Sequence, residues 1–413
     1  MRISSIQAFN NGVQGLQRNY ADVTRTQQQI STGNRILTPA DDPVASVRLL
    51  QLEQQQNVLS QYKSNLVAAD NSLTQEEVTL ASAHTILQRL QELTVRAGNG
   101  SLGELERQSI AAELKEREEE LFALMNTRNA RGEYIFSGFQ GKTQAFGRDE
   151  SGNYSYQGDE GQRRLQIGSS LDIPISDNGK RIFENIINAD RLDRTLDVSA
   201  APGSTLSVSA PLVQSEVAFT GNPPFPDAGI EIVFGNPDAQ SYEIFEAGTT
   251  TPVLGSGQLD DDPDEADQVT FRGVTLQVDG AAVGGERVTV TLDPTRQKQG
   301  VLDTIVNLRR VLENPASTSS EIRDAVAAGM TNLDHAAVNI DSVRGEIGAR
   351  LNVIDTTLTD NEDVTLVNKG VQADLRELDY AEALSRLSFQ SIILEAAQQS
   401  YVKISSLNLF NKL

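Results

Sequence analysis

The chain has 413 residues, enough for two or three domains that each bury a core. Its 35 basic and 57 acidic residues leave a net charge of −22, which repels phosphate backbones and anionic lipid headgroups, so neither nucleic acid nor membrane is an expected partner. Cysteine is absent, which excludes a disulfide framework, a thiolate metal site and a thiol nucleophile.

The opening Met1–Val13 lacks the basic start, apolar run and cleavage site of a secretory signal. No stretch reaches the ~18 to 20 apolar residues of a membrane span. Taken alone, this describes a soluble chain that stays inside the cell, although export by a signal-independent route gives the same appearance. In the first segment, Ile6, Phe9, Val13, Leu16, Tyr20, Val23, Gln27 and Ile30 recur at spacings of three and four, the rhythm of a coiled-coil seam with Gln27 as its polar member. Ser31-Thr32-Gly33 ends it, and Pro39 and Pro43 bracket Asp41-Asp42, where a second helix is expected to start.

From Leu52 the rhythm resumes through Leu59, Tyr62, Leu66, Ala69, Leu73, Leu80, Ala83, Leu87 and Leu90, with Gln55 and Glu76 as polar members. At ~1.5 Å per residue this run reaches roughly 60 Å, too long for an ordinary globular helix. After the Gly98–Gly103 break, a third helix is expected from Glu104 to Ala130, with Ile110, Leu114, Leu121 and Leu124 on one face. A hairpin follows: Tyr154 and Tyr156 alternate with polar neighbours, Gly158–Gly161 supplies turn chemistry, and Leu165 and Ile167 alternate on the return.

Between 191 and 295, alternating runs at Leu206–Val208, Ile230–Val233, Tyr242–Phe245, Val269–Phe271, Leu276–Val278 and Val288–Leu292 are separated by Gly, Pro and Asp clusters, the pattern of an inserted all-β domain. Residues 197–294 hold 16 acidic and 2 basic residues, so this acidic part is expected to be the most exposed. Helical rhythm returns after Pro294. Ile322, Val326, Gly329, Leu333, Ala336, Ile340, Val343, Ile347, Arg350 and Ile354 form one frame, expected to pair with the 52–90 helix. The last segment repeats the seam with Tyr380, Ala383, Leu387, Gln390, Leu394, Ala397, Tyr401 and Ile404, and the sequence ends in Leu409-Phe410-Asn411-Lys412-Leu413.

Patterns that suggest chemistry are weak here. Gly141-Lys142-Thr143 matches the end of a phosphate-binding loop, but the glycine needed five residues earlier is Phe136. Asp260–Asp262, Asp264, Glu265 and Asp267 offer oxygen ligands without the spacing of a calcium loop, and a solvated acidic loop is the favoured reading. His84 and His335 lie in heptad-rich helices with no accompanying nucleophile. No enzyme activity, metal or cofactor is expected. A narrow seam on a helix at either end of the chain would leave edges exposed in a monomer and is expected to be buried by association.

Two groups of residues carry a specific resemblance. Gln29-Ile30-Ser31-Thr32-Gly33-Asn34-Arg35-Ile36 with Pro39-Ala40-Asp41-Asp42-Pro43 resembles the amino-terminal signature of bacterial flagellins and their junction proteins. Val343-Arg344-Gly345-Glu346-Ile347-Gly348-Ala349-Arg350, Leu378-Asp379-Tyr380-Ala381-Glu382-Ala383 and the final Tyr401–Leu413 resemble the matching carboxy-terminal end. Within that superfamily, Met1-Arg2-Ile3-Ser4, Met125–Arg128, Gly132–Gly138 and the hairpin at Tyr154 are similar to the hook-associated protein 3 family. The β insert matches nothing recognisable.

The resemblance implies an α+β fold: a long helical coiled coil or bundle from both chain ends, with a β-hairpin and an inserted all-β domain. It implies three parts: a polymerisation domain (1–42 plus 361–413), a helical rod (43–190 plus 296–360) and an exposed acidic β domain (191–295). It further implies an extracellular structural subunit, exported unfolded by a type III apparatus and aided by a chaperone on the C-terminal helix. Such a subunit self-associates in a ring between hook-associated protein 1 and flagellin. The expected assembly interface comprises Ile6, Phe9, Val13, Leu16, Tyr20, Val23, Ile30, Tyr380, Leu387, Leu394, Ala397, Tyr401, Ile404, Leu409 and Phe410. Flagellin itself is the nearest alternative, and a secreted adhesin or enzyme acting through the insert is a more distant one.

Overall fold

The computed structural model describes residues 2–197, 205–235, 240–260, 266–280 and 283–410, with the side chains of the two terminal helices described between residues 9 and 403. It resolves into two compact units, Met1–Leu66 with Asp355–Leu413, and Val67–Ile354. Among the described residues the heptad rhythm is carried by the helices α1 (Arg2–Thr32) and α2 (Pro43–Ala97) and by two later helices near the other end of the chain. α2 starts where the sequence demands it. The Asp42 carboxylate accepts the Ala45 amide at 3.0 Å as a cap, and Pro43 in the first turn has no amide proton to leave unpaired.

α3 (Glu104–Met125) is opened by Glu106, whose carboxylate accepts the Gly103 amide at 2.9 Å. It ends five residues before the expected Ala130. Asn126 exchanges two bonds with Phe146, its Oδ1 accepting the Phe146 amide at 3.0 Å and its Nδ2 donating to the Phe146 carbonyl at 3.1 Å, which draws the chain toward a strand.

That strand alters the expected hairpin. β1 (Phe146–Arg148) pairs with β2 (Tyr154–Tyr156), whereas β3 (Arg164–Gln166) pairs with β4 (Asp172–Pro174), so Tyr154 and Tyr156 do not return through 165–167. The turn lies at Asp149–Asn153: Asp149 Oδ1 accepts the Asn153 amide at 2.8 Å, and Gly152 supplies a φ of +80°. Hydrogen bonds from the Asn153 backbone hold the Asp149 carboxyl below its ordinary range. The Gly158–Gly161 segment instead wraps the Asp159 carboxylate, which accepts the amides of Phe139 at 2.9 Å and Gly161 at 2.7 Å. The segment around Gly141-Lys142-Thr143 is a pair of turns leading into β1 and opens no helix.

After a π-helical turn at Lys180–Glu184 come β5 (Ile186–Ile187), β6 (Leu192–Asp197), β7 (Ser207–Val208), β8 (Leu212–Val213), the single turn α4 (Glu216–Phe219), β9 (Ile230–Phe234), β10 (Ser241–Glu246), β11 (Gly255–Gln258), β12 (Asp267–Phe271), β13 (Val274–Asp279), β14 (Arg287–Leu292) and β15 (Lys298–Gln299). A five-stranded antiparallel sheet in the order β11-β10-β9-β14-β6 faces a second sheet in the order β12-β13-β7, with β8 also on β13. Alternate residues of both sheets, including Ile230, Ile232, Val288 and Val290 from one and Val269, Leu276 and Val278 from the other, share one buried core, so the insert is a sandwich. The chain enters and leaves it side by side, with Leu192 opposite Leu292 in register. Residues 261–265 of the acidic loop lie outside the described residues.

The helical part of this unit is closed by α5 (Val301–Glu313) and α6 (Ser319–Arg376), and α7 (Tyr380–Phe410) follows. Leu333, Ala336, Ile340, Val343, Ile347 and Ile354, all in the expected frame of α6, are buried, as are Leu73, Leu80, Leu87 and Leu90 of α2. Arg344 meets Glu77 at 2.9 Å, Arg89 meets Glu113 at 2.6 Å and Arg309 meets Glu118 at 2.9 Å, tying α6 to α2, α2 to α3, and α5 to α3. A polar row on α6 fixes the base of the insert: Asn332 Oδ1 accepts the Ala189 amide at 2.7 Å, His335 Nδ1 lies 2.9 Å from the Ile187 carbonyl, and Asn339 Nδ2 donates to the Ile182 carbonyl at 2.8 Å.

Glu76, the polar member of the α2 seam, is buried and accepts the Asp177 amide at 3.1 Å. Asp177 is buried too, and Arg350 bridges it at 2.6 Å. Loss of solvent, and then the negative charge of Asp177, hold the Glu76 carboxyl well above its ordinary range, with Arg350 offsetting part of this. The fold therefore favours neutral Glu76. Below the unfolded-state value the acid is protonated in both states and costs nothing; as pH rises towards the raised folded value, keeping it protonated or ionising it in place increasingly opposes folding. Melting of this unit is expected to fall with rising pH across that window, and Glu76→Gln to flatten the decline in melts monitored by circular dichroism.

Candidate assembly interface

α1 and α7 form an antiparallel pair, and its contacts keep one register. The rings of Phe9 and Tyr401 lie 5.3 Å apart, the Thr26 hydroxyl donates to Gln390 Oε1 at 2.8 Å, and the Leu378 amide donates to the Gly33 carbonyl at 2.9 Å. Val23 and, in the first turn of α7, Ala383 are buried in the seam, while Val13, Leu16, Ile30, Leu387, Leu394, Ala397 and Tyr401 are half-buried. The side chains of Ile6, Ile404, Leu409 and Phe410 lie outside the described residues.

The seam departs from the apolar frame at two positions. Asn19 is half-buried and Thr26 buried, whereas Tyr20 is 64% exposed and Gln27 is exposed. The structural series Leu16, Asn19, Val23, Thr26, Ile30 keeps the three-four spacing, but with polar residues that read as surface. Gln390 finds its hydrogen bond in Thr26. A matched polar pair inside a seam fixes register at some loss of stability.

At its inner end the pair turns at a corner built from both signatures. Asn34 and Glu377 form an antiparallel bridge, the Arg35 amide donates to the Arg376 carbonyl at 2.7 Å, and the Arg35 guanidinium donates to the Leu375 carbonyl at 2.8 Å. Gln29 closes the amino-terminal side by donating to the Arg35 carbonyl at 2.6 Å. Asp41 accepts the amides of Leu37 and Thr38, each at 2.9 Å, and is bridged by Arg25; the two amides hold its carboxyl below the ordinary range. Asp379 caps α7 by accepting the Ala381 amide at 2.9 Å. Gly33 adopts a φ of +72° beneath the Tyr380 hydroxyl, where an added Cβ would lie 2.9 Å from the oxygen. None of these corner residues except Tyr380 belonged to the expected interface, because their service is to the backbone and leaves no apolar pattern.

The terminal unit buries few hydrophobic side chains: among its described residues, only Val23, Ala45, Leu66, Leu378 and Ala383. Large apolar side chains stand exposed on each of its helices, including Phe9 and Tyr20 on α1, Val44, Val47, Leu50 and Val58 on α2, Val364 and Val367 on α6, and Phe389 and Ile392 on α7. Isolated exposed hydrophobics need no explanation, but a whole unit with so thin a core makes these helices the candidate interaction surface. Among the described residues, no cluster of His, Cys, Asp or Glu is disposed to hold a metal ion, and no helix is long and apolar enough to cross a membrane.

Comparison with known proteins points the same way. Residues 3–141 match the bacterial flagellin N-terminal helical region. Over 186 residues the chain is 31% identical to flagellar hook-associated protein 3 of Escherichia coli, covering 45% of this chain and 58% of that protein, so the match spans less than two thirds of that curated relative. A flagellin of Clostridium tyrobutyricum is 21% identical over 94% of this chain and 95% of its own length. The crystal structure of hook-associated protein 3 from Legionella pneumophila superposes with a TM-score of 0.63 at 25% identity, over 79% of this chain and 98% of that one. The likeness is to structural proteins of the bacterial flagellum, and to hook-associated protein 3 in both sequence and fold.

Substituting Gly33→Ala places a Cβ in the left-handed region at the corner, a cost of roughly 1–2 kcal/mol. The variant is expected to lose terminal-helix signal at lower temperature in circular dichroism, with the melting of Val67–Ile354 unchanged.

Proposed function

We propose that this chain is a structural subunit of the bacterial flagellum that forms the junction between the hook, through hook-associated protein 1, and the flagellin filament. The observation that carries the reading is the terminal unit, whose two signature segments meet at one corner and whose helices keep apolar faces exposed. The likeness to hook-associated protein 3 supports the same reading.

In this account residues 1–42 and 361–413 polymerise, 43–190 and 296–360 form the rod, and 191–295 project outward. Copies associate in a ring as Ile6, Phe9, Val13, Leu16, Tyr20, Val23, Ile30, Tyr380, Leu387, Leu394, Ala397, Tyr401, Ile404, Leu409 and Phe410 leave water. Burial returns ~25 cal/mol per Å² of apolar surface, offset by the entropy of ordering the ends. The work done is mechanical coupling. The subunit reaches the cell exterior unfolded, with a chaperone covering the C-terminal helix until export.

Deleting residues 404–413 is expected to leave the Val67–Ile354 unit folded and to abolish filaments and swimming in a strain lacking its own copy. Intact filaments in that strain would contradict the reading. The flagellin alternative, favoured by the end-to-end match to the clostridial flagellin, is separated by abundance. A junction subunit is a trace component of sheared filaments, whereas a flagellin dominates them.

A further inference from the structure

Two exposed stripes in the terminal unit complement each other. On α6, Asp360, Val364, Val367, Val371 and Asp374 follow one another at spacings of four and three, and all five are exposed. Each immediately precedes a residue of the half-buried or buried polar row Asn361, Thr365, Asn368, Gln372 or its neighbour Leu375, so the stripe is turned about 100° from that row. On α7, Arg386, Phe389, Ile393, Ala396, Ser400 and Lys403 do the same beside the seam with α1, and all six are exposed. The α6 stripe is apolar at its centre and acidic at both ends. The α7 stripe is apolar at its centre and basic at both ends.

The match extends to register. Counted from Asp374 back to Asp360 and from Arg386 forward to Ser400, stripe positions fall at the same intervals, so an antiparallel arrangement sets Asp374 on Arg386, Val371 on Phe389 and Val367 on Ile393, with Asp360 on Ser400 about 21 Å away and Lys403 roughly one turn beyond it. At the centre, Val367 is 64% and Phe389 69% exposed, which leaves the surface to be buried there large on both sides.

Resting on the junction reading above, we propose that the α6 stripe of one copy receives the α7 stripe of a neighbouring copy. The chain's own α7 is held to another course by the Asn34–Glu377 bridge, the Leu378–Gly33 bond and Tyr380 over Gly33, with α1 already on its seam. The contact joins different surfaces of the two copies, so it is heterologous: each copy keeps one stripe open for the next, and association propagates into a ring or helical layer. Unlike burial of the terminal seams, it gives the assembly a direction. Asp374 against Arg386, which its own Glu382 also pairs, and Asp360 within about one turn of Lys403 set the partner and the antiparallel sense.

The absence of native cysteine makes the test direct. Purified full-length Val367→Cys and Ile393→Cys chains are mixed and oxidised under conditions where the parent chain self-associates. A disulfide-linked heterodimer is expected, with a ladder of oligomers from the Val367→Cys/Ile393→Cys chain. The heterodimer is expected to be lost when the first partner carries Asp360→Lys and Asp374→Lys, and to return when the second also carries Arg386→Glu and Lys403→Glu. Equal linkage with Ser388→Cys in place of Ile393→Cys, or linkage only within single chains of the double variant, overturns the proposal. Cysteine chains that restore filaments in cells but give no heterodimer also overturn it, and leave the junction reading standing.

Discussion

A pair of helices in contact buries one stripe of each, and whatever else on them is apolar stays in water until a third element arrives. The terminal unit of this chain is built on that limit. Its α1–α7 seam is narrow, with one polar hydrogen-bonded pair towards its inner end and an aromatic contact at 5.3 Å near its outer end. Against so small a core stand exposed valines, leucines and aromatics on all four helices. In the proposed junction role the unit is a template that holds apolar stripes at set angles and buries them against neighbouring copies. The corner makes the template usable: with backbone bridging Asn34 to Glu377 and a left-handed Gly33 under Tyr380, α1 and α7 leave it in a defined direction.

The Val67–Ile354 unit follows the opposite rule. It closes its core within one chain, spends its charged side chains on ties between its own helices, and anchors the β sandwich through strands that enter and leave side by side. Its amide-rich row on α6 bonds mostly backbone, with Asn332 Nδ2 also donating to Asn188 Oδ1 at 2.9 Å, which ties α6 to the base of the insert. A β sandwich that carries much of the chain's negative charge is thereby anchored to helices that bury a core of their own.

Much of this was legible in the sequence, for a physical reason. Heptad spacing reports which residues turn away from water whatever they meet, so α1, α2, α6 and α7 and the frame from Ile322 to Ile354 could be read directly. Period-two alternation likewise marked β9, β10, β12, β13 and β14. What escaped was held by polar atoms. Asn19 and Thr26 sit in the seam at positions where composition favours Tyr20 and Gln27, and β6, with its sequence Leu-Asp-Arg-Thr-Leu-Asp, reads as surface. The partner of Tyr154 was misread because an Asx turn at Asp149–Asn153 signals more weakly than the glycines at 158 and 161. The two signatures were visible as a resemblance, but nothing in their residues told that they meet at one corner.

The central claim is that the terminal helices are finished by assembly while the rest of the chain is finished alone. Amide hydrogen exchange of the purified monomer against the assembled form addresses it most directly. The account predicts rapid exchange in α1 and α7 of the monomer, strong protection in α2 beyond Val67, α3, α5 and the first part of α6, and slow exchange in α1 and α7 once assembled. Terminal helices as well protected in the monomer as the Val67–Ile354 core would contradict it.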